Sequence, residues 1–226
     1  MRTNHSYPMN TLARSGVLLM LSTLLASSSV AQIFLIDAKD AQYIDASAYA
    51  PMTNSVLFFS GSAMAAYDLS TSERVSLTWY DLGKIEPINA AISWSDSTML
   101  IFSGSYYRTF DVLTGGVSAE RLEWPGLPEE WGGSLDAAVR WSEEEVIFFK
   151  DDEYLVYDFV EEAYTERDRF TSWEGFPAGW TMPLETAFNV QGDIYLLNDG
   201  EAVLYSTTED RFFLPSPIGI ADTGAK

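Results

Sequence analysis

The sequence predicts an all-β repeat protein, and three observations carry that expectation. One motif recurs four times at a nearly constant period, each copy holds short runs of β-branched and aromatic residues, and those runs break at Gly, Asp, Asn or Ser. Each copy opens on an apolar residue, an acid or amide, and small residues: Ile44-Asp45-Ala46-Ser47, Ile88-Asn89-Ala90-Ala91, Leu135-Asp136-Ala137-Ala138 and Leu184-Glu185-Thr186-Ala187. The steps from Asp45 to Asn89, Asp136 and Glu185 are 44, 47 and 49 residues. A period of this length marks a propeller or a solenoid.

Within each unit the elements follow in a constant order. The opening strand comes first. Next is an apolar run that ends in a tight polar break, as in Val56-Leu57-Phe58-Phe59-Ser60-Gly61, Leu100-Ile101-Phe102-Ser103-Gly104, Val146-Ile147-Phe148-Phe149-Lys150-Asp151 and Ile194-Tyr195-Leu196-Leu197-Asn198-Asp199. A polar break between two such runs is a hairpin signal. The third strand carries Tyr67-Asp68, Phe110-Asp111, Tyr157-Asp158 and, in weaker form, Tyr205-Ser206. A connector then joins three of the units to the next: Trp79-Tyr80-Asp81-Leu82-Gly83, Trp124-Pro125-Gly126-Leu127-Pro128 and Trp173-Glu174-Gly175-Phe176-Pro177. Its Gly and Pro stop a regular element, and its Trp is large enough to cover a seam between sheets.

These landmarks resemble the hemopexin repeat: an Asp-Ala-Ala opening, an aromatic-rich hairpin, an aromatic-Asp third strand and a Trp-x-Gly-Leu-Pro connector. The resemblance implies a four-bladed β-propeller, all-β, whose opening strands line a central tunnel. It spans repeats at about 42–86, 87–132, 133–182 and 183–215. Ser47, Glu185 and Thr186 depart from the family pattern, and the fourth unit lacks the third-strand Asp. The resemblance also implies a calcium or sodium ion at one end of the tunnel, held by main-chain carbonyls at Asp45, Asn89, Asp136 and Glu185. Oxygen donors of that kind suit a hard cation. The same side chains also suit capping of the turn that enters the inner strand.

Residues 1–31 have a different character. Arg2 and Arg14 precede the apolar stretch from Val17 to Ala26, and Ser29-Val30-Ala31 places small residues where a signal peptidase cuts. The stretch is too short to span a bilayer, so a cleaved export signal is expected and the remainder is secreted or periplasmic, with no membrane attachment after cleavage. The signal holds two of the 13 bases and no acid, which leaves 11 against 33 acids and a formal charge of −22. It also holds His5, the only histidine, and the chain has no cysteine.

That inventory excludes His- and Cys-ligated zinc, Ser-His-Asp and Cys-His nucleophiles, and disulfides from the exported chain. Hemopexin itself holds haem through histidines, and many relatives close the ring with a disulfide; neither device is available. Haem is therefore not expected, although Tyr and Met remain as axial groups. Ring closure is expected from packing and from pairing of residues 33–36 with Phe212-Phe213-Leu214. Nucleic acid is excluded by the charge. The expected function is a binding module for a protein or a small cationic ligand, and no enzyme activity is expected. The alternatives are a polyamine or haem binder and a carboxylate-based glycosidase, which needs only two acids. The segments Pro128–Ser134 and Pro177–Pro183 each present a Trp, as a short helix turned inward or as a binding loop. Residues 216–226 are expected to form a flexible tail.

Overall fold

The computed structural model describes residues 36–37, 44–70, 77–133, 135–180, 183–213, 216–217 and 219–220. The expected export signal lies outside them. After β1 (Ile36–Asp37), blade 1 consists of β2 (Ala46–Ala50), β3 (Ser55–Ser60), β4 (Ala63–Asp68) and β5 (Tyr80–Asp81). Blade 2 consists of β6 (Ala90–Ser93), β7 (Thr98–Ser103) and β8 (Tyr106–Asp111), with β9 (Gly116–Val117) and β10 (Leu122–Glu123) both on β8. Blade 3 is β11 (Ala137–Arg140), β12 (Glu145–Lys150), β13 (Glu153–Asp158) and β14 (Ala163–Arg169). Blade 4 is β15 (Thr186–Val190), β16 (Asp193–Asn198), β17 (Glu201–Ser206) and β18 (Arg211–Phe212), joined by β19 (Ser216–Pro217) on β17. β20 (Gly219–Ile220) pairs in parallel with β1.

Each inner strand, β2, β6, β11 or β15, lies against the inner strands of both neighbouring blades, which closes a ring around a tunnel. The second strands show why the apolar runs do not alternate with polar residues. Successive side chains of a strand point to opposite faces, and here both faces are covered. Val56 and Phe58 pack toward blade 4, whereas Leu57 and Phe59 pack toward blade 2. The same division places Val146 and Phe148 against blade 2, and Ile147 and Phe149 against blade 4. Among the described residues four apolar clusters result, one in each seam between blades, instead of one central core.

The connector tryptophans sit in these seams. Trp124 is buried between blades 2 and 3 beside Phe102, Phe148 and Tyr157, and Trp173 lies between blades 3 and 4. Trp79 of blade 1 packs instead into the seam with blade 4. A 3-10 turn at Glu129–Trp131 buries Trp131, the inward alternative for that segment. The counterpart segment forms no helix at Ala178–Trp180, and Trp180 packs edge-on against Phe176.

The third-strand motif divides its labour between its two residues. The aromatics Tyr67, Phe110, Tyr157 and Tyr205 are buried in the seams. The carboxylates of Asp68, Asp111 and Asp158 accept backbone N–H groups from Ser70, Thr114 and Val160 and so close the turn that follows. In blade 4, where Ser206 replaces the Asp, the Tyr205 hydroxyl donates to Asp210 across the same turn.

Of the expected ring-closing pair, residues 33–35 and 214 lie outside the described residues, and the described part pairs differently. Ile36–Asp37 pairs with Gly219–Ile220, whereas Phe212 pairs with Tyr205 as part of blade 4. The reason is local: the turn closed by Asp210 returns the chain onto β17 immediately, so Arg211–Phe212 is committed before it can reach the amino-terminal segment. The pairing of Ser216–Pro217 and Gly219–Ile220 also gives strand structure to part of the expected tail.

One cross-strand pair in blade 3 is unfavourable. Glu145 stands directly opposite Asp158, and burial together with repulsion from Asp158 and Glu166 pushes its carboxyl above the ordinary value of 4.5. Because the folded value exceeds the unfolded one, the penalty is complete above the folded value and is relieved as pH falls toward 4.5. Glu145→Gln is therefore expected to raise stability at pH 7 by up to about 1 kcal/mol, the scale of a like-charge cross-strand pair. Urea unfolding from pH 7 downward checks this; the variant and the parent should converge at and below the ordinary carboxyl value.

Candidate functional site

All four inner strands run the same way, so their first residues meet at one end of the tunnel and their last at the other. The starting end carries Asp45, Asn89, Asp136 and Glu185. In each blade the backbone N–H of this residue bonds the end of the second strand: Asp45 to Phe59, Asn89 to Phe102, Asp136 to Phe149 and Glu185 to Leu197. The side chains are also used in one common way. Asp45 accepts the N–H of Gly61 at 2.7 Å, Asn89 that of Gly104 at 3.1 Å, Asp136 that of Asp151, and Glu185 that of Asp199. Each recipient is the first residue of its blade's hairpin turn, at positive φ. The four residues are thus caps of the turn between the second and third strands, and not of the turn that enters the inner strand.

The electrostatics of this end are unfavourable for carboxylates. Burial pushes the Asp136 and Glu185 carboxyls up, and Asp151 repels the first while Asp199 and Asp45 repel the second. One oxygen of Glu185, Oε2, is buried without a hydrogen-bond partner. Lys150 offsets part of the charge near Asp136. Among the described residues no three carboxylates come together as a ligand cluster. The structure therefore brings Asp45 within interaction range of Glu185 but leaves Asn89 and Asp136 each on its own hairpin, and a cation here would depend on main-chain carbonyls.

Beyond these residues the inner strands carry small buried side chains, Ala46, Ala90, Ala91, Ala137, Ala138 and Ala187, which pack in the seams between blades. The two departures from Ala meet one another: the hydroxyls of Ser47 and Thr186 share a buried hydrogen bond of 2.8 Å across the seam between blades 1 and 4. At the far end the tunnel widens into a cavity of about 680 Å³. Ile92, Val139 and Phe188 form its apolar floor, and Tyr49, Arg140, Trp141 and Asn189 stand on its walls. Among the described residues that line it, Glu143 alone carries a carboxyl group.

A hemopexin family model matches residues 135–178, the third repeat. Among solved structures, a hemopexin fold protein from cow pea superposes with a TM-score of 0.63 at 17% identity, covering 78% of this chain and 93% of that one. The chain is a hemopexin-like four-bladed β-propeller. A plant lectin with two metal binding sites from Cicer arietinum gives 0.60 at 15% identity over 77% and 92% of the two chains. A plant albumin from Cicer arietinum showing hemagglutination gives 0.61 at 16% over 78% and 93%. No significant match to a curated protein is found. Among the described residues no helix is long and apolar enough to cross a membrane.

The hemopexin-like propeller has a second ring of functional groups that motif matching passes over. The fifth residue of each opening motif, counted from the acid or amide, is Tyr49, Ser93, Arg140 and Asn189. Ser93 Oγ donates to the Tyr49 carbonyl, and Asn189 Nδ2 donates to the Arg140 carbonyl at 3.0 Å, so these side chains tie blade 2 to blade 1 and blade 4 to blade 3. A polar-capable residue at one repeat position in all four units was the available signal.

Proposed function

We propose that the chain is an exported binding module with a structural calcium or sodium ion at the starting end of its tunnel and a ligand-facing mouth at the other. The ligand in this reading is a protein or a small molecule. The observation that carries it is the contrast between the two ends. One end gathers the oxygen donors of four strand starts, where Asp45 repels Glu185 and Asp151 repels Asp136, with Glu185 Oε2 lacking a partner; the other opens into a cavity lined by apolar and aromatic residues. Cavities of several hundred Å³ with few polar groups are the usual form of ligand sites. A cation at the starting end would be held by the carbonyls of Asp45, Asn89, Asp136 and Glu185, and would relieve the repulsion between the Asp45 and Glu185 carboxyl groups. Its contribution is positive charge where four strands begin, without chemistry on a substrate.

Calorimetry with calcium and with spermine, at low and at high salt, tests the reading. Calcium is expected to bind in both, because a site enclosed by four strands is weakly screened, whereas spermine attracted to a diffuse acidic surface should be lost as salt rises. At ten times its dissociation constant, calcium should add about 1.4 kcal/mol of stability, a rise of about 3–6 °C in Tm for a chain of this size. Absence of calcium and sodium binding at low salt would remove the cation from the proposal.

A further inference from the structure

In so acidic a chain, arginines readily find carboxylates. Arg108 and Arg121 reach Glu86, Arg167 reaches Glu130 and Glu153, Arg169 reaches Asp152, and Arg211 reaches Glu209. Arg140 is the exception among the described residues. Its guanidinium is held by main-chain carbonyls alone: Nε to Ser142 at 3.1 Å, Nη1 to Trp94 at 3.3 Å and Nη2 to Glu143 at 2.9 Å. Two of its five N–H groups are left over. The rings of Trp94 and Phe159 lie 5.0 and 5.5 Å from it and fix its position by cation–π attraction. The same residue lines the mouth of the tunnel beside Trp141, above the floor of Ile92, Val139 and Phe188.

We propose that the tunnel mouth is a binding site for a small organic monoanion with an apolar body, its carboxylate paired with Arg140. The arginine is positioned by carbonyls and rings, so little side-chain entropy is lost when an anion arrives. Bidentate recognition of a carboxylate is the geometry that a guanidinium fork provides. The floor offers dispersion contact to an aromatic or branched body, and the Asn189 side chain is already committed to the Arg140 and Trp141 carbonyls, leaving charge recognition to the arginine. Glu143, also on the wall, is exposed and acts on the Arg140 charge through space without a hydrogen-bonded ion pair; its charge opposes a dianion more strongly than a monoanion, which narrows the class to single charges. The chain's negative field slows the arrival of any anion but acts equally on all monoanions, so selectivity rests on the mouth itself.

This inference rests on the reading of the chain as a binding module, though not on its cation. The test is calorimetry of the protein with phenylacetate, its neutral analogue phenylacetamide and its cationic analogue phenethylamine, each with and without calcium. Phenylacetate should bind at least about tenfold more tightly than either analogue, the lower range of a close charge pair. Arg140→Gln should reduce phenylacetate binding by about tenfold or more and abolish the preference over the amide. Because Arg140 also ties blade 3 to blade 2, Arg140→Lys serves as a second variant, keeping the charge and retaining the order of the three probes. Equal binding of the three, tighter binding of the amine, no phenylacetate binding at about 10 mM, or a folded Arg140→Gln protein with unchanged affinity would each overturn the proposal. Failure of phenylacetate with calcium binding intact discards the mouth alone, and the reverse result discards the cation alone.

Discussion

Gly104→Ala is expected to destabilise the protein by about 3 kcal/mol or more, while the equivalent change in blade 1, Gly61→Ala, is expected to cost only about 1 kcal/mol. Both glycines occupy the first position of a hairpin turn at positive φ, +63° for Gly104 and +55° for Gly61. An L side chain in that left-handed region carries a penalty of about 1–2 kcal/mol wherever it occurs. The two positions differ in their surroundings. A Cβ on Gly61 would meet nothing within 4 Å, but one on Gly104 would lie 2.5 Å from the Gly132 carbonyl oxygen. That oxygen is backbone and cannot rotate away.

It is also already in use. The N–H of Ser105, next to Gly104, donates to the Gly132 oxygen at 2.9 Å, and the Ser105 carbonyl accepts the N–H of Trp124 at 2.8 Å. Moving the turn to accommodate a methyl group therefore breaks a bond between blade 2 and the segment that carries buried Trp131 into the next seam. Loss of a buried hydrogen bond adds about 1–3 kcal/mol, and any displacement of Trp131 adds to it. Denaturant midpoints for the two variants, measured with the slope m to confirm an unchanged transition, decide the matter. Equal losses at the two glycines would show that this contact does not restrain the seam.

The repeat was legible because every seam demands the same thing. A blade covered on both faces needs apolar residues at consecutive positions of its second strand, and that demand writes Val56 to Phe59, Leu100 to Phe102, Val146 to Phe149 and Ile194 to Leu197 in one register. The partners of the opening residues were not legible. Asp45 and Asn89 cap N–H groups 16 and 15 residues onward, a meeting that only the pairing of the strands produces. Arg140 was hidden for a different reason. Its significance lies in the carboxylate it does not have, which no single-sequence pattern records. The closing strands were misplaced because Phe212 has the apolar character of a strand that could go either way, and the turn at Asp210 decides for blade 4.

Thr186→Ala and Ser47→Ala are each expected to cost about 1–3 kcal/mol, and the double variant distinctly less than their sum. Both hydroxyls are essentially inaccessible to solvent, at 0% and 1% exposure, and each is the other's partner at 2.8 Å. Removing one leaves a buried polar group unpaired, which costs its full desolvation. Removing both leaves none, and it restores the alanines that occupy these positions elsewhere: Ala91, Ala138 and Ala187 at the place of Ser47, and Ala46, Ala90 and Ala137 at that of Thr186. A four-variant cycle by urea denaturation should thus return a coupling of about 1–2 kcal/mol in favour of the pair. The position gives this coupling its meaning. The bond crosses the seam between blades 1 and 4, where the first blade meets the last without a covalent tie, since the chain has no cysteine. If the pair secures that closure, amides of β2 and β15 should exchange faster in either single variant, and those of β6 and β11 should be much less affected. Additive losses, or exchange raised equally in all four inner strands, would mean that the ring closes by packing alone and that the two departures from the repeat are independent.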